Sequence, residues 1–287
     1  MTIQPSNRPT ILAIADTAIS LTCDPVGLGW AVAERYRAFL TDRPATLHLR
    51  VDFTGQEREQ AMLDQGMSFV DGLLHFDAPG YVGTIDEQAG VGHLSLSSRQ
   101  PVEEVDYFLR VAAALLLYRA GGFMFHAAGI VRDGRACLYF GYSGSGKTTV
   151  SRLSQALGDR VLNDDLLFLV PPKPGQAGGW TVYSTPFWNP TQVQPVGLDS
   201  APLAGLFRLV QAKQVFTAAM QPGQAVAELV TSVPVLGLDP GRTLSVLARC
   251  RRLSRDVPVH HLHFLPDASF WPVVLAAVGP VHFHQKP

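Results

Sequence analysis

Through its first hundred residues the chain carries short apolar blocks broken by polar positions; afterwards the blocks become longer and more regular. In residues 1–100, Ile11 to Ile14 and Leu47 to Val51 read as strands, and Trp30 to Leu40 (WAVAERYRAFL) as a short amphipathic helix, which predicts a small α+β region. Residues 101–120 give the clearest helix. Pro101 opens it, Glu103 and Glu104 face the positive dipole end, and Val105, Phe108, Leu109, Ala112, Leu115 and Leu116 repeat at helical spacing. Gly121-Gly122 closes it. A domain boundary is placed at its start, giving regions 1–100 and 101–287.

Beyond the helix, FMFHAAGIV and RACLYF flank Asp133-Gly134, a strong hairpin signal because Gly tolerates the positive φ of a tight turn. The second strand runs into Gly141, and from Lys147 to Leu157 the spacing turns helical. RVLNDDLLFLV predicts one or two buried strands, KPGQAGG (173–179) a loop, and WTVYSTPF a strand as far as Pro186. Further on, 203–210 and 258–265 read as strands, and 224–229 and 244–253 as helices.

Composition narrows the class. Hydrophobic residues make up 47% and charged ones 16%, the balance of a folded globular protein. The formal charge is −1, so no global positive field draws nucleic acid, and no polybasic run marks a membrane surface. The longest apolar run, Val111 to Tyr118, is far short of a bilayer span. The N-terminus lacks a positive segment leading into an apolar one, so no signal peptide is expected. Cys23, Cys137 and Cys250 lie far apart without a CxxC pair, as buried free thiols of a reducing compartment would. The expectation is a cytoplasmic protein.

The chemistry concentrates in three places. Gly141-Tyr-Ser-Gly-Ser-Gly-Lys147-Thr148 fits GxxxxGK[ST] in full, between an apolar strand and a helix. Such a loop folds its N–H groups into a nest around phosphate oxygens, and the helix N-terminus adds its dipole. Gly141, Ser143, Gly144, Ser145, Gly146, Lys147, Thr148 and Thr149 are therefore the candidate nucleotide-binding residues. Lys147 would reach the β and γ phosphates and Thr148 would ligate Mg²⁺. Second, Asn163-Asp164-Asp165 places two carboxylates between buried strands, which is unfavourable unless something positive meets them. A polar turn is the alternative there. Third, His126 lies mid-strand between Phe125 and Ala127, where a satisfied core histidine is the ordinary explanation. Histidines 260, 261, 263, 282 and 284 form alternating pairs without a completing ligand, and fit polar strand faces better than a metal site. Arg249, Arg251, Arg252 and Arg255 fit a solvated helix end better than a phosphate or acidic-peptide site.

Together FHAAGIV, the hairpin, GYSGSGKT and NDD resemble the core of the HPr kinase/phosphorylase family, whose fold is related to phosphoenolpyruvate carboxykinase. His126 precedes Lys147 by twenty-one positions and Asp165 follows it by eighteen, as in that family's pattern. The matched block runs from about Phe123 to Val170, with a weaker likeness to stand-alone HPr-kinase-like proteins at YSTPF (183–187), APLAGLFRL (201–209) and PDASFWP (266–272). The resemblance implies a P-loop kinase core with a mixed β-sheet. In it Lys147 contacts the transferred phosphoryl group, Asp165 is the general base, Asp164 and Thr148 hold Mg²⁺, and His126 sits at the phosphate site. It departs at Thr149, where the HPr enzymes carry Glu, so kinase activity without phosphorolysis is expected and HPr itself as substrate is unsupported.

The leading expectation is an ATP- and Mg²⁺-dependent kinase acting on a hydroxyl, chiefly a serine of a protein or peptide. Some of the relatives are encoded beside ribosomal-peptide maturation genes, which makes such a precursor one acceptor to consider. A kinase of a small hydroxyl-bearing metabolite and a non-catalytic nucleotide-binding regulator are the alternatives. A homo-oligomer is compatible with all three.

Overall fold

The computed structural model describes residues 8–54, 66–70, 72–78, 80–97, 101–173, 175, 178–188, 191–234 and 240–279. Packing divides the chain into two compact units, one of residues up to Phe123 with Val235–Thr243, the other of Met124–Pro234 with the residues from Leu244 onward. The helix at 101–120, grouped by its position with the second region, belongs to the first unit.

The first unit is built on a seven-stranded mixed sheet of order β1-β2-β3-β7-β6-β5-β4. Its strands are β1 (Thr10–Ile14), β2 (Thr17–Asp24), β3 (Leu47–Phe53), β4 (Met67–Val70), β5 (Leu73–Ala78), β6 (Tyr81–Asp86) and β7 (Val91–Leu96). β2, β3 and β7 run parallel, and the remaining pairs are antiparallel. Alternation decides which face is covered: in β3, Leu47, Leu49 and Val51 are buried while His48 and Arg50 are exposed. Helices α1 (Val26–Arg35) and α2 (Pro101–Arg119) pack on this sheet and on each other. They are tied at buried Asp106, which accepts hydrogen bonds from Arg35, Tyr36 and Arg110. Several N–H and O–H donors on one carboxylate offset the penalty of burying it.

The second unit has β8 (Phe123–Arg132), β9 (Arg135–Phe140), β10 (Arg160–Asn163), β11 (Leu166–Val170), β12 (Thr181–Tyr183), β13 (Ser200–Gln211), β14 (Phe216–Ala219) and β15 (Val259–Phe264). β9 lies between β8, its antiparallel hairpin partner, and β13, its parallel neighbour. β15 continues beyond β13 in parallel, with β14 antiparallel at the edge. β11 pairs with β8 and β12, and β12 with β13, so pairings close a circuit through β8, β11, β12, β13 and β9. β10 lies on β8. Helices α3 (Lys147–Ala156), α4 (Pro222–Val230), α5 (Pro240–Asp256, its residues through Thr243 counted with the first unit) and α6 (Phe270–Val278) complete the set. One core cluster gathers Tyr139, Phe207, Phe270 and Trp271 in ring contact behind β9. This packing anchors β9 one residue short of its end, just before the chain reaches Gly141.

The chain is mixed α and β, with two mixed sheets and six α-helices among the described residues. Some elements differ from the pattern. The first helix starts at Val26, after Pro25, rather than at Trp30, and a 3₁₀ turn (Arg37–Phe39) takes up its predicted end. The strand expected through Pro186 stops at Tyr183, because Ser184 and Thr185 commit their hydroxyls to loop hydrogen bonds. RVLNDDLLFLV is two strands. The loop at 173–179 lies partly outside the described residues, and His282 and His284 lie wholly outside them. All three cysteines are free and buried, and burial pushes each thiol up to about 12. No helix of the described residues is long and apolar enough to cross a membrane.

Candidate functional site

β9 ends at buried Phe140, and the chain turns through Gly141 (φ 150°), Gly144 (φ 78°) and Gly146 (φ 111°) before α3 begins at Lys147. Gly146 also admits a close approach. A Cβ there would stand 2.5 Å from the Phe264 ring of β15, so only glycine fits without displacing the ring. Two braces hold the loop from outside and within. Gln211 of β13 donates to the Gly144 carbonyl at 2.9 Å, and Lys147 Nζ donates to the Gly141 carbonyl at 2.9 Å and more loosely to that of Tyr142. Burial lowers the Lys147 pKa, and the Asp165 and Asp164 carboxylates pull it back up.

The carboxylates arrive on the turn between β10 and β11. An irregular register between Val161 and Asn163 against β8 bulges the strand just before them. Asp165 Oδ1 stands 3.2 Å from His126 Nε2, and the Asp165 carbonyl accepts from the Ala127 N–H at 3.0 Å. Asp164 is 1% exposed, and neither of its carboxylate oxygens has a hydrogen-bond partner. Burial raises its pKa. The Val193 N–H and the Thr148 hydroxyl face it and work in the other direction, without reaching ordinary hydrogen-bond geometry, and Asp165 adds like-charge repulsion.

One cleft of ≈ 370 Å³ joins these groups, lined by His126, Ser143, Gly144, Gly146, Lys147, Thr148, Thr149, Asp164, Asp165 and Gln192. Of the residues singled out in the sequence, Gly141 and Ser145 lie just behind this lining, in the turn itself. Gly141 instead borders a neighbouring hollow of ≈ 190 Å³ with His126, Tyr142, Arg208 and Glu228. A hollow of ≈ 450 Å³ in the first unit is larger, with a mainly apolar wall that includes Ile11, Leu21, Trp30 and Leu40 and with Arg8 and Asp42 also in its lining.

A cation is the group that Asp164 and Thr148 fit. Two bare carboxylate oxygens, desolvated beside a hydroxyl, form a hard oxygen donor set. Among the described residues no three His, Cys, Asp or Glu side chains gather as a closed metal cage.

Asn163 and Thr185 escaped the sequence reading as site residues. Asn163 is fully buried, and its side chain bonds both to the Asp165 N–H and to residues 185 and 187. Its position directly before the Asp pair was the one available signal.

The site is thus a strand–loop–helix turn whose lysine faces a carboxylate pair, Asp164 buried and Asp165 partly exposed. Compared with known proteins, the chain matches no family model and no curated protein.

Proposed function

We propose that this protein is a Mg²⁺-dependent kinase that transfers the γ-phosphoryl group of a nucleoside triphosphate, ATP in the first instance, to a hydroxyl, chiefly a serine of a protein or peptide, with the chemistry of HPr-kinase-like enzymes. The observation that carries this proposal is the convergence of Lys147, Thr148, Asp164, Asp165 and His126 on one cleft.

The loop N–H groups and the α3 N-terminus would hold the phosphates, and Lys147 would exchange its bond with the Gly141 carbonyl for one to a phosphate oxygen. Mg²⁺ bound at Asp164 and Thr148 would neutralise charge building on the phosphate oxygens. Asp165 would accept the acceptor's hydroxyl proton as its oxygen bonds to phosphorus and the bond to the leaving diphosphate breaks. His126, in contact with Asp165 Oδ1, would hold that carboxylate in orientation. Catalysis is then mostly positioning and charge stabilisation.

A kinase of a small hydroxyl-bearing metabolite is the second candidate, and one observation favours it: the ≈ 190 Å³ hollow beside His126 accommodates only a small group.

The test is incubation with γ-labelled ATP and Mg²⁺, with proteins encoded by neighbouring genes and with a panel of small alcohols. Label should reach one acceptor class, and Lys147→Ala should abolish the transfer while the protein stays folded. Undiminished transfer by folded Lys147→Ala would remove the loop from the chemistry.

A further inference from the structure

Asn163 stands immediately before the two carboxylates and is 0% exposed. Its carboxamide works in two directions. Oδ1 accepts from the Asp165 N–H at 2.8 Å and the Leu166 N–H at 3.3 Å, closing a tight turn over Asp164. Nδ2 donates to the Thr185 carbonyl at 3.2 Å, the Thr185 hydroxyl at 3.1 Å and the Phe187 carbonyl at 2.9 Å. Thr185, also fully buried, donates its own hydroxyl to the Leu166 carbonyl at 2.8 Å and accepts from the Phe187 N–H at 3.3 Å. One buried network thus binds the carboxylate turn on both flanks to a segment about twenty residues away.

Core packing alone would not demand this. A buried polar network is favourable only when its members are satisfied, and an apolar side chain would fill the same space at less risk. What the network does is fix a turn that holds a desolvated Asp164, whose oxygens make no regular hydrogen bond, against its tendency to swing toward water.

We propose that Asn163, anchored by Thr185, is the positioning residue of this site: it holds the Asp164–Asp165 turn in the conformation that meets the cation and the acceptor proton. This rests on the proposed kinase chemistry, because only a Mg²⁺–nucleotide complex gives the held turn something to meet.

The test needs no acceptor. ATP affinity is measured by calorimetry with Mg²⁺ and with excess chelator, together with thermal unfolding, for wild type, Thr185→Val, Thr185→Ser and Asn163→Ala. Outer partners of metal ligands typically affect affinity about 10–100-fold, so Thr185→Val should lose about that much of the Mg²⁺-dependent gain in ATP affinity. Its Mg²⁺-free affinity should stay near wild type, because the loop and Lys147 supply it. Thr185→Ser, which keeps the hydroxyl, should restore the gain. Should Asn163→Ala fail to fold, the Thr185 pair decides. A full Mg²⁺ gain in folded Thr185→Val overturns the inference, as does an equal loss with and without Mg²⁺, which marks a general structural role. Absence of any Mg²⁺-dependent ATP binding in wild type would overturn the kinase proposal itself, and this inference with it.

Discussion

A carboxylate that is 1% exposed and makes no regular hydrogen bond weakens the fold that contains it, because Val193, Thr148 and Arg152 offset its desolvation only in part. Asp164 therefore opposes stability until a cation arrives, and neutralising it should stabilise the free protein. Asp164→Asn is expected to raise Tm by about 2–4 °C for each kcal/mol recovered, while the Mg²⁺-dependent part of ATP affinity is lost. Thermal unfolding with and without Mg²⁺ and ATP checks both halves; a lower Tm in the variant would mean that Asp164 is compensated in the free protein after all. Asp165 is in the opposite situation, since His126 meets one oxygen and its side chain is 16% exposed. Asp165→Asn keeps the shape and removes the proton acceptor. Its transfer rate should fall about 10²–10⁴-fold, the usual worth of a general base, with ATP affinity nearly unchanged. Transfer at the wild-type rate would show that another group takes the proton.

Between elements, the closest fit is where α3 leaves the loop. Gly146 combines a left-handed φ of 111° with a Phe264 ring 2.5 Å from the place a Cβ would take. Gly146→Ala should therefore move the loop rather than merely strain it, and ATP affinity should fall at least about tenfold, the effect of about 1.4 kcal/mol. Calorimetry on the folded variant measures this, and an unchanged affinity would mean that β15 gives way instead. The same elements show what the sequence made legible. The β8–β9 hairpin, the turn into Gly141 and the start of α3 follow from Asp133-Gly134, three spaced glycines and a change of period, all local signals. β4 to β7 left little trace. Half-covered strands interleave His75, Asp77, Thr84 and Asp86 with their apolar residues, and their length of four to six residues gives alternation little room to stand out. α1 begins four residues ahead of the apolar pattern, right after Pro25, because its first turn holds Gly27 and Gly29, which carry no apolar side chain to mark a helix face. The Asp pair was visible as chemistry, but Asn163 was not visible as its support, because its partners lie 22 and 24 residues away and only folding brings them near.

For the whole molecule, composition and architecture bear on the direction of the reaction. A net charge of −1 gives no long-range field to steer a charged acceptor, so recognition must come from contacts close to the cleft. The proposed chemistry lies wholly within the second unit, which supplies loop, lysine, carboxylates and histidine from its own strands. Within that cleft Thr149 stands in the first turn of α3, where the HPr enzymes, by the resemblance, carry Glu. Phosphorolysis, in which inorganic phosphate takes the part that ADP has in the true reverse of transfer from ATP, asks more of the site. A phosphate oxygen must attack the phosphoserine phosphorus while the serine oxygen leaves and regains a proton, and pyrophosphate must form among several negative charges. A carboxylate at position 149 could take part in that proton traffic and bring negative charge to a second cation; a threonine hydroxyl does not give up its proton at neutral pH and brings no charge. The expected outcome is transfer from ATP to the acceptor with no release of pyrophosphate when phosphorylated acceptor, inorganic phosphate and Mg²⁺ are mixed with the enzyme. Thr149→Glu is the informative companion. Pyrophosphate formed by wild type would show that position 149 does not set the direction, whereas pyrophosphate formed by Thr149→Glu alone would assign the direction to that residue.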